Sequence, residues 1–357
     1  MPKDYIVIDI GTQNIKMIEA KLEKQNIMLK NFSIIPTPLD SFENGNILKA
    51  EPLAEIIKEE FKTGGYKAKS TIVLVTGDSI IDREVVLPKM TEKELKKVIE
   101  FEADQYFPVN LINYSVDFKI IEEVTTQEGI KYKVLVVAVP KEIIDGYVNL
   151  MEKCGFRLEV IDIVANALTK IVDLETKLRS NGQSDSLAII DLGASVSRIV
   201  IIDNGKFRFE RIIKIGVNDL ISIIEENLNF NYKNAEEWLR EKFADYIKVN
   251  QTNVFDSNEV EKIGNQIGEL LNRLCDEVNK LLQYYRSRNA ENNINKLLLT
   301  GGGVHLNGID KYIAQNVGII SEHMQSMKSV INKSSKDIVK KEEFLVNAFG
   351  GIIRTNK

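Results

Sequence analysis

The stretch "YIVIDIGTQNIKMIEA", residues 5 to 20, runs apolar into Asp9 and Gly11, offers a few small polar side chains, and resumes with Lys16 inside a second apolar run. β-Branched residues on both sides of a glycine predict strand, tight turn, strand. A hairpin alone would account for that glycine, because Asp-x-Gly is common wherever strands reverse. The stretch "LAIIDLGASVSRIVIID", residues 187 to 203, repeats the pattern and places Asp191, Gly193 and Arg198 at the spacing of Asp9, Gly11 and Lys16. Two copies so far apart predict an internally duplicated α/β fold.

The chemistry of such a pair is concrete. Backbone N–H groups in two facing turns, over Gly11, Thr12 and Gln13 and over Gly193, Ala194 and Ser195, can converge on phosphate oxygens, which glycine lets the chain approach. Lys16 would neutralise phosphate charge. Asp9 and Asp191 are the oxygen ligands a hydrated Mg²⁺ accepts, since that ion keeps several waters and takes one or two carboxylates. A third stretch, "INKLLLTGGGVHLNGI" at 294 to 309, runs an apolar strand into Gly301, Gly302 and Gly303. A lone glycine run also fits a flexible loop, but after a strand, and with the two turns, it suits a wall against which something flat lies. Together the three stretches suggest a nucleotide clamp.

Composition bounds the rest. With 357 residues, 44% hydrophobic and 28% charged, the chain can bury a full core and has room for two or three domains. The net charge is -5 and basic residues are interspersed with acids, which argues against nucleic-acid binding. Cys154 and Cys275, the two cysteines, read as buried thiols of a reducing compartment. The opening "MPKDYIVIDI" has no signal-peptide pattern and no apolar run reaches a membrane span of about 18 residues. The expectation is a cytoplasmic protein that a partner would have to hold at any membrane.

These motifs, with the closing small-residue helix "FLVNAFGGIIR" at 344 to 354, resemble the actin, Hsp70 and FtsA superfamily. Within it, "LPKMTEKELKKVIEFEADQYFPV" at 87 to 109 and "EVNKLLQYYRSR" at 277 to 288 are similar to the PilM family of type IV pilus machinery. The resemblance covers nearly the whole chain. It implies an actin-like duplicated fold with an inserted α+β subdomain of the 1C type: residues 1–80 opening the first half, 81–158 the insert, and 159–357 the remainder, with a smaller subdomain at about 215–290 and a closing helix returning to the first half. It also implies ATP and Mg²⁺ between the halves, held by Asp9, Gly11, Thr12, Gln13 and Lys16 in one loop, Asp191, Gly193, Ala194 and Ser195 in the other, and Gly301 to Gly303 at the nucleoside. "NAEEWLREKF" at 234 to 243 resembles the superfamily's Ala-Glu-x-x-Lys helix. Glu236 fits the ribose role. Leu239 stands where the lysine would be, and Arg240 beside it can stack its guanidinium on a purine. Trp238 reads as packing. The water-orienting Gln or Glu of superfamily ATPases falls near Val164, with Asp162 the nearest acid, so slow or absent hydrolysis and no catalytic residue are expected.

By the same resemblance the partner is the N-terminal cytoplasmic peptide of PilN, gripped between the first subdomain and the insert, with the assembly ATPase, other platform proteins and a second copy as further partners. An FtsA-like protein polymerising at a membrane is the alternative within the superfamily; FtsA carries a C-terminal linker and amphipathic helix, whereas this sequence stops at "GGIIRTNK". A true ATPase is the alternative from another class.

The intervening pattern fits the insert. Thr91 and Glu94 have capping-box spacing, with Leu95, Val98, Ile99, Ala103 and Tyr106 on one helical face. Strands near 114–121 and at 133–139 follow, then a helix from Pro140 that stops at Gly155. Ile263, Ile267, Leu270, Leu274, Val278, Leu281 and Tyr285 trace a core stripe on a long helix. Residues 179–187 read as a loop, His305 as incidental, and 330–343 as a solvated loop.

Overall fold

Ile6, Val7, Ile8 and Ile10 are all fully buried, as a strand covered on both faces requires. The computed structural model describes residues 3–127, 129–180, 182, 186–249, 258–288 and 293–354. Tyr5–Ile10 pairs antiparallel with Asn14–Glu23 and parallel with Ser70–Val75. The first sheet runs in the order Arg157–Ile163, Ser70–Val75, Tyr5–Ile10, Asn14–Glu23, Asn26–Pro36, Val330–Asn332. The second sheet repeats the plan: Lys206–Ile213, Ser197–Asp203, Leu187–Leu192, Lys296–Thr300, Ile320–His323. Register reproduces the sequence repeat, with Asp9 opposite Lys16 and Asp191 opposite Arg198.

Two helices pack between the halves. Val164–Arg179 leaves the first sheet; the chain regains that sheet at the edge strand Val330–Asn332, and Glu342–Ile352 then packs against it. The two helices cross so closely that a Cβ on Gly350 would lie 2.0 Å from the Ala167 carbonyl oxygen. The larger core runs from the first sheet through these helices to Leu187, Ile189, Val200 and Ile202 on the near face of the second sheet. Ala188, Ile190, Ile199 and Ile201 alternate onto the far face, under the helices Val217–Leu228, Tyr232–Val249 and Asn258–Arg288. On the last of these the expected stripe is buried, with Leu270 at its margin.

A third, antiparallel sheet orders Ile81–Pro88, Gly129–Pro140 and Tyr114–Thr126. Helix Glu92–Tyr106 packs Leu95 and Ile99 against Val134, Val136 and Ala138, and Thr91 caps it in the expected box with Glu94. Its two long strands outrun the expected 114–121 and 133–139, because backbone pairing carries the hairpin beyond the apolar pattern. Helix Lys141–Cys154 ends where expected, at Gly155 with φ of 71°, a left-handed cap that glycine adopts without strain. It packs with helix Ala50–Thr63 in the first core, however, rather than under the third sheet. Residues 81–140 hold the third sheet and its helix, while Lys141–Cys154 packs with the first half.

That unit is tied to the second half by charge. Arg208, held by Asp203 of its own sheet at 2.8 Å, bonds Glu122 at 2.9 Å and Glu84 at 3.5 Å, and Lys206 also bonds Glu122.

The expected solvated loop at 330–343 is instead partly structural: Val330–Asn332 adds a parallel edge strand beside Asn26–Pro36, and Ile338 packs on the core. Of the expected loop at 179–187, residues 181 and 183–185 lie outside the described residues. Both cysteines are buried free thiols, and burial pushes Cys154 up to about 11 and Cys275 to about 12. Among the described residues no helix is long and apolar enough to cross a membrane.

Candidate functional site

The two Asp-x-Gly turns face each other across a cleft of about 880 Å³ between the halves, within the size range of small-molecule sites. Each turn is closed the same way: Gly11 N–H donates to the Asn14 carbonyl at 3.0 Å and Gly193 N–H to the Val196 carbonyl at 3.1 Å. Thr37 fixes the first turn, its hydroxyl donating to the Gly11 carbonyl at 2.7 Å. The second turn is held by the start of helix Val217–Leu228, whose Val217 and Asn218 amides donate to the Gly193 and Ala194 carbonyls at 3.1 and 2.8 Å.

Asp9, Gly11, Thr12, Gln13 and Lys16 line the cleft from one side and Asp191, Gly193, Ala194 and Ser195 from the other. Lys16 sits 3.5 Å from the Asp9 carboxylate. Arg198, its counterpart in the repeat, also lines the cleft but pairs with Glu210 at 2.9 Å and with the Thr76 hydroxyl. The duplication thus supplies two carboxylates and two paired cations to the cleft.

Gly301 and Gly302 line the cleft as expected. Gly303 does not: it is buried against Leu192 and Val217 beneath the surface, because the chain turns into a 3-10 segment over Gly302–His305. Glu236 and Arg240 line the same cleft and pair with each other at 2.8 Å. Leu239 is fully buried while Trp238 packs at the margin of the second core. The missing lysine position therefore points inward, and the helix offers Arg240 to the cleft in its place.

Several lining residues lay beyond the sequence reading. Lys340, Lys341, Phe344 and Asn347, all from the last part of the chain, reach the cleft, as does Lys214. His305 stacks on Phe344 with ring centroids 4.8 Å apart, and burial lowers its pKa, so a neutral imidazole buttresses that wall. Asn347 donates through Nδ2 to Asp9 at 3.3 Å and to Asp191 at 3.1 Å. Gln13 donates to the Tyr232 hydroxyl at 2.5 Å, which donates on to Asn218 at 2.9 Å, tying the first turn to the helices of the second half; burial pushes Tyr232 up to about 12.

Val164 presents an apolar side chain to the cleft floor. Asp162 is committed elsewhere, to Lys170 at 2.8 Å and Asn166 at 2.8 Å. Among the described residues no group of three His, Cys, Asp or Glu side chains converges as a metal cage. Two carboxylates from opposite turns suit a hydrated Mg²⁺, which takes its remaining ligands from water and phosphate.

Matched half-sheets, crossing helices and facing Asp-x-Gly turns define an actin-like α/β protein. The solved PilM–PilN type IV pilus biogenesis complex matches with a TM-score of 0.81 and 21% identity, covering 98% of this chain and 99% of that one. MreB 5 of Spiroplasma citri bound to AMPPNP matches at 0.53 with 14% identity over 98% of this chain and 94% of that one. The cell division protein FtsA of Bacillus subtilis (strain 168) is 22% identical, over 88% of this chain and 76% of its own length. Residues 7–355 match the family model of the type IV pilus assembly protein PilM, and the chain belongs to that family.

Proposed function

We propose that the cleft binds ATP with Mg²⁺ and that the protein is a nucleotide-dependent adaptor of the type IV pilus assembly platform, which grips the N-terminal cytoplasmic peptide of a PilN partner. The observation that carries the nucleotide part is the meeting of Asp9 and Asp191 on one amide, flanked by two glycine turns. Turn amides and Lys16 would take the phosphates, Glu236 the ribose and Arg240 the base. Bound Mg²⁺ would neutralise phosphate charge between the carboxylates. The partner part is supported by family membership and by the PilM–PilN complex as a fold neighbour. Binding PilN would place the protein at the cytoplasmic face of the membrane.

Turnover is slow or absent in this reading, because Val164 cannot orient a water and Asp162 is held by Lys170. Calorimetry with ATP and Mg²⁺, for wild type and for Asp9→Ala with Asp191→Ala, each with and without a synthetic PilN N-terminal peptide, tests both parts. ATP binding lost in the double variant, with peptide binding in the wild type, is expected. Failure of the wild type to bind ATP overturns the clamp, and failure to bind peptide overturns the adaptor role.

A further inference from the structure

Asn347 sits at the centre of the cleft although it comes from the closing helix, 338 residues from Asp9 and 156 from Asp191. Both its partners are carboxylates, which when ionised only accept hydrogen bonds, so the nitrogen is the end of the amide that must face them. The other end, Oδ1, is buried and has no hydrogen-bond partner. Buried polar groups nearly always have a partner, so this oxygen has capacity to spare for a ligand in the cleft.

The helix is closely packed at both ends. A Cβ on Gly350 would lie 2.0 Å from the Ala167 oxygen and one on Gly351 2.7 Å from Val7 Cγ1. At its start, the Glu343 carbonyl accepts from the Gly301 amide at 3.0 Å and the Thr300 hydroxyl at 2.8 Å. With the backbone clamped at both ends, the side-chain amide is the movable part, and the terminal torsion of asparagine has a broad, two-fold profile.

Two ionised carboxylates converging on one point repel each other, and here an amide N–H dipole stands between them. A cation arriving at that point would meet the N–H groups as like charge. We propose that Asn347 is a two-position residue of the cation site: it turns its NH₂ to Asp9 and Asp191 when no cation is present, and turns Oδ1 toward the hydrated cation when one binds with the nucleotide. It thereby positions both carboxylates in the first state and supplies a further protein oxygen in the second. The inference rests on the reading of the cleft as an ATP–Mg²⁺ clamp.

The test uses the full chain, titrated with Mg²⁺ at fixed ATP, for wild type, Asn347→Leu and Asn347→Asp, with melting curves recorded without metal. Asn347→Leu is expected to weaken the Mg²⁺ midpoint by ~10-fold, the usual scale for residues that orient a metal's ligands. Asn347→Asp is expected to tighten it while lowering the metal-free melting temperature, because three acids then meet with Lys16, beside Asp9, as the nearest counter-charge. Movement of the midpoint in opposite directions is the signature; a purely structural role would weaken both variants alike. A wild type whose ATP binding ignores Mg²⁺ overturns the clamp and this inference together. A Mg²⁺-dependent wild type with unchanged midpoints in both variants overturns the role of Asn347 alone.

Discussion

Gly301 has no room for a side chain. Its φ is +88°, and a Cβ would lie 2.4 Å from the Asp191 carboxylate and 2.6 Å from the Leu192 carbonyl. Gly301→Ala is therefore expected to lose on the order of 1–3 kcal/mol in denaturant unfolding, and to weaken ATP binding by displacing Asp191. Gly302→Ala meets only the edge of the Phe344 ring at 3.0 Å and is expected to be the milder change in both measurements. The residues legible in the sequence were those whose partners are near in the chain: Asp9 with Gly11, Asp191 with Gly193, and Glu236 with Arg240 one helical turn on. Asn347, Lys340 and Lys341 were not legible, because nothing local distinguishes a side chain that closes a site from one on a solvated loop. Gly303 reads like its two neighbours because a run of identical residues carries no mark of which one turns inward.

Helix Glu92–Tyr106 depends on the residue that caps it. Thr91 accepts from the Glu94 amide at 3.3 Å, and Glu94 accepts in return from the Thr91 amide at 2.9 Å. Removing the cap in Thr91→Ala is expected to cost about 1 kcal/mol, seen in denaturant unfolding and as faster hydrogen exchange in the first helical turn; Thr91→Ser should retain most of the stability. This helix was legible because cap and apolar face share one short window. Lys141–Cys154 was legible as a helix, but its buried face of Ile143, Tyr147 and Leu150 says only that something covers it, and the cover turned out to be Ala50–Thr63 in the first half. The strand Val330–Asn332 is not legible for a related reason: three residues are too few for a pattern, and the parallel pairing with Asn26–Pro36 is set by chain segments about 300 residues apart.

Between the third sheet and the second half, Glu122 is the shared anion. Burial alone would push its carboxyl up, but hydrogen bonds from Lys206 and Arg208 outweigh it and hold it at about 2. A carboxyl lowered in the folded state stabilises above its unfolded pKa and loses that contribution as pH falls through the folded value. Wild type is thus expected to lose stability between about pH 4.5 and pH 2, with a shallower fall in that window for Glu122→Gln, read from thermal unfolding at stepped pH; identical slopes would show that the network contributes nothing. The wider consequence lies in the crossing of Val164–Arg179 with Glu342–Ile352. The chain passes between the halves twice, once along the first of these helices and once between His323 and Val330, and two moorings define a line. Turning one half against the other about that line would stretch the Gln13–Tyr232 bond, which ties the first turn to helix Tyr232–Val249, and the rim farthest from the line would travel most.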